Sequence, residues 1–376
     1  MVEPSFLMRH QHRFSHLILI TLALSLGSAL ADELTLPEWL LTTRMGGDFR
    51  YRYESIEAEG FERVNYRNRI RYRLWLKTAV NDRVTVGFRL ASGQGDPRST
   101  NQDLQDGFSG KPLVLDRAYA TIRHRGWLTV TVGKQEVPYL AASQIIWDSD
   151  VNLEGGSARL ETVRGWLTLS MTGGGYWIDE QSLGGGQGLA ALQPAITAKR
   201  DCGQTDLALA YYDYSFVKDH EVIYSSLGLG NHTHFDHTRG TVYDEDFNVL
   251  NATLRHRHRL ARTIELTLTA EYVQNTATDV DDDGVLGGLA LTQDEGALPY
   301  SVSWDYRELA PDATIAMFTE SDFAGGMTDS RGHKLTVSIK PLKNTSLGST
   351  LYLNQQGTTD DAPEYTRLMG DFAVKF

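Results

Sequence analysis

From residue 43 onward polar and apolar positions alternate with period two, and no stretch carries a convincing helical stripe. Asp48, Arg50, Arg52 and Glu54 interleave with Phe49, Tyr51 and Tyr53. Glu265, Thr267, Thr269 and Glu271 interleave with Ile264, Leu266, Leu268, Ala270 and Tyr272. Lys334, Thr336, Ser338 and Lys340 do the same with Leu335, Val337 and Ile339. In an extended strand each set points to its own face, so these segments predict strands with one polar and one apolar side. A soluble sandwich also alternates; the connections separate the two architectures.

Tight connections fall at Asn81-Asp82, His124-Arg125-Gly126, Val163-Arg164-Gly165, Asp201-Cys202-Gly203, Leu260-Ala261, Ala310-Pro311-Asp312 and Lys343-Asn344. Longer polar stretches lie between them, at 55–64, 94–113, 134–155, 178–187, 217–247, 276–298, 320–331 and 357–363. Short and long connections in alternation predict about sixteen strands with both ends of the sheet on the short-turn side; fourteen or eighteen fit the same pattern. This is an all-β fold, a transmembrane antiparallel β-barrel with short periplasmic turns and long outer loops. Strands of about ten residues suit a tilted crossing of the hydrocarbon core. The last strand alternates Phe372, Val374 and Phe376 with Asp371, Ala373 and Lys375. Phe376 therefore reads as an assembly signal for the barrel-assembly machinery. An echo fits the same plan: Arg125-Gly126-Trp127-Leu128-Thr129 returns as Arg164-Gly165-Trp166-Leu167-Thr168, each opening a strand after a tight turn.

Composition changes the picture in three places. A length of 376 residues would allow two soluble domains, and a mean hydropathy of −0.32 gives no hint of a membrane. The one long apolar run, residues 17–31, follows Arg9 and Arg13 and ends in Ala29-Leu30-Ala31, the marks of a secretory signal peptide. The expected organisation is a signal peptide at 1–31, a short periplasmic segment at 32–43 and the barrel at 44–376. The formal net charge of −12 argues against nucleic-acid binding, which depends on basic patches. Cys202 is the sole cysteine, so no intramolecular disulfide forms.

Several segments carry a family resemblance. Leu115-Asp116-Arg117-Ala118-Tyr119 and Gly133-Lys134-Gln135 are followed by Trp147-Asp148-Ser149-Asp150 and Glu154-Gly155. Asp322-Phe323, Thr328-Asp329 and Gly332 continue the series. In order and spacing residues 44–376 resemble a proteobacterial putative-porin family, similar in style to alginate-export barrels. The resemblance implies a pore in the outer membrane of a Gram-negative cell and leaves the solute open.

The chemistry expected of a pore is carried by charge. Arg67, Arg69, Arg71, Arg73 and Lys77 share one face of a strand whose other face holds Ile70, Tyr72, Leu74 and Leu76. A central Arg facing lipid costs roughly 2–4 kcal/mol, so these side chains must line water. Arg255, Arg257 and Arg259 repeat the pattern. Asp148, Asp150 and Glu154 lie in the stretch 134–155, which, folded inward, would oppose the arginines and set a transverse field. The plainer alternative is that the arginines only neutralise neighbouring lumenal carboxylates. His232, His234 and His237 form a weak candidate metal group in the longest outer loop. Asp279 to Gly284 begins like a calcium loop, but its twelfth position is Ala290 where a bidentate Glu is required.

The expected function is passive diffusion of small hydrophilic solutes or ions. The alternative is a dedicated channel for an acidic saccharide or another anion, with an outer-membrane enzyme a distant third. No cofactor is expected. The expected partners are outer-membrane lipid and lipopolysaccharide, the assembly machinery, small solutes and further copies of the chain.

Overall fold

The computed structural model describes residues 38–376, apart from 61, 94, 181–185 and 226–227. The expected signal peptide lies outside the described residues, as does most of the segment that follows it. Glu38–Leu41 forms one helical turn in the N-terminal unit, and residues 42–376 form a second unit.

The second unit is a wall of strands. They are β1 (Arg44–Ala58), β2 (Asn65–Ala79), β3 (Val84–Ser92), β4 (Leu113–His124), β5 (Leu128–Glu136), β6 (Asn152–Arg164), β7 (Leu167–Glu180) and β8 (Gly186–Arg200). They continue as β9 (Gly203–Ser215), β10 (Asn248–Ala261), β11 (Ile264–Asn275), β12 (Asp283–Gln293), β13 (Tyr300–Leu309), β14 (Ser330–Leu342), β15 (Thr345–Gln356) and β16 (Glu364–Lys375). Neighbours in sequence pair antiparallel, and β16 pairs back onto β1 from Asp48↔Lys375 to Ala58↔Tyr365. The sheet is therefore closed, with no unpaired edge. A two-residue strand, Gln102–Asp103, extends the pairing of β2 beyond the point where β3 stops.

Closure is sealed at the chain end. Gly47 and Phe376 exchange backbone hydrogen bonds of 2.8 and 3.0 Å. A Cβ on Gly47 would lie 2.8 Å from the Phe376 ring and 2.4 Å from the Arg73 carbonyl, so only glycine lets the terminal ring lie against the wall. The ring then sits beside Tyr72, at 6.0 Å between centroids.

Seven short connections lie at one end of the wall and eight longer ones at the other. The expected count of sixteen thus stands, but two of its parts do not. The stretch 276–298 is not a single outer loop, because it contains β12. Ala310-Pro311-Asp312 is not a tight turn, because it opens the long segment 310–329. The misreadings have converse physical origins. β12 is rich in glycine and starts in an acidic run, so it looks like a loop; Gly284 and Gly288 are needed because a Cβ there would press on Leu309 and Asp305. Residues 313–319 look like a strand because they are apolar, yet they are apolar for another reason. They are buried inside the barrel, around the 3-10 turn Ala316–Phe318.

Two segments accordingly fill part of the lumen. Residues 137–151 and 310–329 pack on each other and on the lumenal faces of β7 to β11. Trp147 meets Phe318 at 5.2 Å and Tyr212 at 5.5 Å, and Tyr139 meets Tyr212 at 5.4 Å. This aromatic core, removed from water, holds both segments inside the barrel.

Candidate functional site

The wall opposite that core is charged, and the register explains its pattern. Asp48, Arg50, Arg52 and Glu54 of β1 stand directly across from Arg73, Arg71, Arg69 and Arg67 of β2. Arg50↔Arg71 and Arg52↔Arg69 are like-charge pairs, which cost stability unless carboxylates intervene. They do. Asp48 accepts hydrogen bonds from Arg71 at 3.0 Å and Arg73 at 2.8 Å. Glu54, with no exposed surface, is held by Arg67 at 2.6 Å, Arg367 at 3.1 Å and Arg69 at 3.5 Å. Arg69 also reaches Asp103 at 2.7 Å. Arg52 grips Asp371 through two nitrogens, at 2.7 and 2.8 Å. Each of Arg67, Arg69, Arg71 and Arg73 therefore lies on the lumenal face and engages at least one carboxylate.

Arg50 differs. It donates to Asn101 at 2.6 Å, while its Nε stands 3.8 Å from the nearest Asp371 oxygen. Among the arginines of β1 and β2 facing the inward segments, its charge is the least compensated.

The inward segments present acids and amides to these arginines. Asp150 lies 3.3 Å from Arg73 and accepts from the Thr100 amide and hydroxyl at 3.2 and 3.0 Å. Asp148 is used differently: its carboxylate accepts from the Ser321 and Asp150 amides at 2.8 and 2.9 Å, joining the two inward segments. Burial pushes the Asp148 carboxyl up to about 7, against the pull of those two donors. Asp322 shows the opposite balance. Burial would raise it, but Arg367 at 2.7 Å and Arg52 at 3.0 Å outweigh that and hold it well below the usual carboxylate range. Glu320 pairs with Lys334 at 2.5 Å and accepts from Tyr352 at 2.8 Å.

These groups meet around a lumenal cavity of ≈ 230 Å³, lined by Arg50, Arg52, Arg71, Arg98 and Lys334 together with Asp148, Asp150, Glu320 and Asp322. A second cavity, lined by Arg255, Ser143, Thr267 and Asp305, shares Gln144, Ser149, Glu320 and Lys334 with the first. The two spaces adjoin at those four residues.

Arg255 and Arg257 lie on the lumenal face of β10, both 3.1 Å from the buried Asp206. Glu154 is not in the lumen. It belongs to β6, where residues 153 and 157 take the inward positions, and it pairs on the outer face with Lys134, its register partner, at 2.6 Å. The histidines do not converge. His232 binds Asp312 at 2.7 Å, His234 binds Asp244 at 2.5 Å, and His237 packs on Phe235 at 5.7 Å. No group able to hold a metal occurs among the described residues.

Arg50, Arg52, Glu320, Asp322 and Lys334 were not singled out in advance. The first two stood in the same alternation as the chosen arginines. The acids lay in the stretch 320–331, expected as an outer loop, so nothing pointed them inward.

Solved structures share this architecture. OmpF of Salmonella typhi in complex with daunomycin aligns at a TM-score of 0.57 and 10% identity, over 89% of this chain and 97% of that one. OprB of Pseudomonas putida gives 0.59 and 12%, over 90% and 96%. The outer-membrane channel DcaP of Acinetobacter baumannii gives 0.52 and 14%, over 89% and 97%. At such identities the likeness is one of fold. No curated protein matches the chain in sequence.

A closed barrel of this kind, with a polar lumen narrowed by inward segments, is an outer-membrane porin-like channel. Residues 60–239 match the sequence model of the family described as Putative porin, and the resemblance noted from the motifs is borne out.

Proposed function

We propose that the channel passes small hydrophilic solutes and ions by diffusion, and that it selects among them at the arginine-lined constriction. The observation that carries this reading is a pair of adjoining lumenal cavities where Arg50, Arg52, Arg71 and Arg255 of the strands meet Asp148, Asp150, Glu320 and Asp322 of the inward segments. Such a site tests charge and size without a driving force, and the fold offers a channel rather than a reaction centre. Purified protein in a planar bilayer should raise conductance in discrete steps at low voltage. Folded protein that repeatedly gives no steps contradicts the reading.

The second reading, a channel dedicated to an acidic saccharide or other anion, is favoured by Arg50, whose charge is only partly compensated. Block of the ionic current by an oligomeric uronate at micromolar levels would support it over general diffusion. The remaining roles are proposals of the same standing: a signal peptide at 1–31, contact with lipopolysaccharide at the outer loops, self-association, and Phe376 as the mark read by the assembly machinery. Deletion of Phe376 tests the last; folded, heat-modifiable barrel at normal levels would refute it.

A further inference from the structure

The charge on the lumenal wall changes sign from one end of the pore to the other. Near the short turns, Lys77 of β2, Arg123 of β4, Lys199 of β8, Arg259 of β10 and Lys375 of β16 are each the last charged inward side chain of their strand. The faces follow from parity: Lys77 continues the row of Arg69, Arg71 and Arg73, and Arg259 continues the row of Arg255 and Arg257. Lys199 follows Thr197, which donates to Asp206, and Lys375 follows Asp371, which binds Arg52. Arg123 follows Thr121, whose hydroxyl meets that of Thr131. Lys77 and Lys375 border one lumenal space with Arg73, Arg89 and Arg117.

All five are exposed, and none has a carboxylate within ion-pair distance among the described residues. The lumenal acids at this end are otherwise engaged. Asp48 is taken by Arg71 and Arg73, Asp116 by Arg89, Asp206 by Arg255 and Arg257, and Glu161 by Arg159. Glu265 alone is left, opposite Arg259 in register. The other mouth has the reverse sign. Asp244, Glu245 and Asp246 stand in the loop 216–247, whose Lys and Arg residues are Lys218 and Arg239, and Asp279, Asp281 and Asp282 stand in the loop 276–282.

We infer that the five cations form an anion-collecting ring at the periplasmic mouth, and that the channel rectifies current. The inference rests on the diffusion reading above and adds a direction to it. A ring of one sign raises the local concentration of counter-ions, so anions gather at the periplasmic entrance and cations at the outer one. With the outer side held positive, each ion enters through the mouth that concentrates it, and the lumen fills with carriers. With the polarity reversed, each must enter through the mouth that repels it, and carriers are depleted.

The test is the current–voltage curve of the reconstituted barrel at low and high salt. Cys202, exposed in the turn between β8 and β9, supplies the orientation: a bulky maleimide polymer attaches only from the chamber facing that turn. The expected current at about 0.1 M salt is roughly twofold larger with the outer side positive, and the asymmetry fades near 1 M, where the Debye length falls from about 10 to about 3 Å. The variant Lys77→Gln, Arg123→Gln, Lys199→Gln, Arg259→Gln, Lys375→Gln should give a nearly symmetric curve. Symmetric steps from the unaltered protein at low salt overturn the ring while leaving the channel intact. Absence of any steps overturns the channel, and the ring with it. Should the fivefold variant fail to fold, the salt series on the unaltered protein still decides.

Discussion

The lumen of this barrel has two unlike walls. Toward the outer ends of β7 to β11 the inward side chains are mostly aromatic, aliphatic or small, and segments 137–151 and 310–329 lie against them with Trp147 and Phe318 removed from water. On β1, β2 and β16 the inward side chains are charged and locked in a mesh around Asp48, Glu54 and Asp371. The difference separates two tasks. Apolar burial fixes where the inward segments sit, with ordinary hydrophobic free energy. The mesh gains little net stability, since desolvation offsets much of its attraction, but it fixes the positions of the guanidinium groups toward water. Position of the constriction belongs to one wall, its charge to the other.

Removing the aromatic anchor should break this division most severely. Trp147→Ala and Phe318→Ala each delete a buried aromatic, at a cost of about 3–5 kcal/mol. The sixteen-stranded wall does not depend on either side chain, so the barrel should persist while the inward segments come loose. The expected result is a larger, noisier single-channel conductance with retained heat-modifiable mobility. Unchanged conductance would mean that the segments are held by something other than the aromatic wall.

Next comes the mesh. Glu54→Gln leaves Arg67, Arg69 and Arg367 without their shared carboxylate, and breaking a buried pair from one side costs about 3–5 kcal/mol. Its signature should differ from that of the aromatic variants: lower thermal stability of the barrel, but a step size close to the parent. A stability unchanged in a detergent melt would show that Asp103 and Asp322 compensate fully.

A smaller effect should come from pH. Asp148 ties the two inward segments together, and burial raises its folded pKa above the ordinary value of 3.8 to about 7. A group raised in this way contributes stability that is fully present below the ordinary value and is lost as pH rises through about 7. Current fluctuations should therefore grow between about pH 4 and pH 7, the window set by that shift. Asp148→Asn should abolish the trend, and fluctuations in that variant that still follow pH would locate the titration elsewhere.

Much of the charged wall could be read in the sequence, and little of the aromatic one. Arg67 to Arg73 reveal their face because period two leaves a charge only one place to go in a bilayer. The same rule covers Arg255 and Arg257. What it cannot give is the register between β1 and β16 or the course of the inward segments, so the engagement of Arg52 with Asp371 and Asp322 stayed hidden. Residues 313–319 were misassigned because an apolar run buried in the lumen and one facing lipid have the same composition. β12 was missed for the converse reason, its glycines being packing space rather than turn chemistry. Glu154 was placed in the lumen because the strand start at Asn152 was set too late, and a slip across one boundary moves a side chain to the other face.

The central claim is that solute charge is tested between Arg50, Arg71 and the inward segments. Reversal potential in a salt gradient measures it most directly, on the unaltered protein, on Arg50→Gln with Arg71→Gln, and on Glu154→Gln. The account predicts that the double variant shifts toward cation preference, more at low than at high ionic strength, while Glu154→Gln, on the outer face, matches the parent. Equal reversal potentials for the parent and the double variant would contradict it.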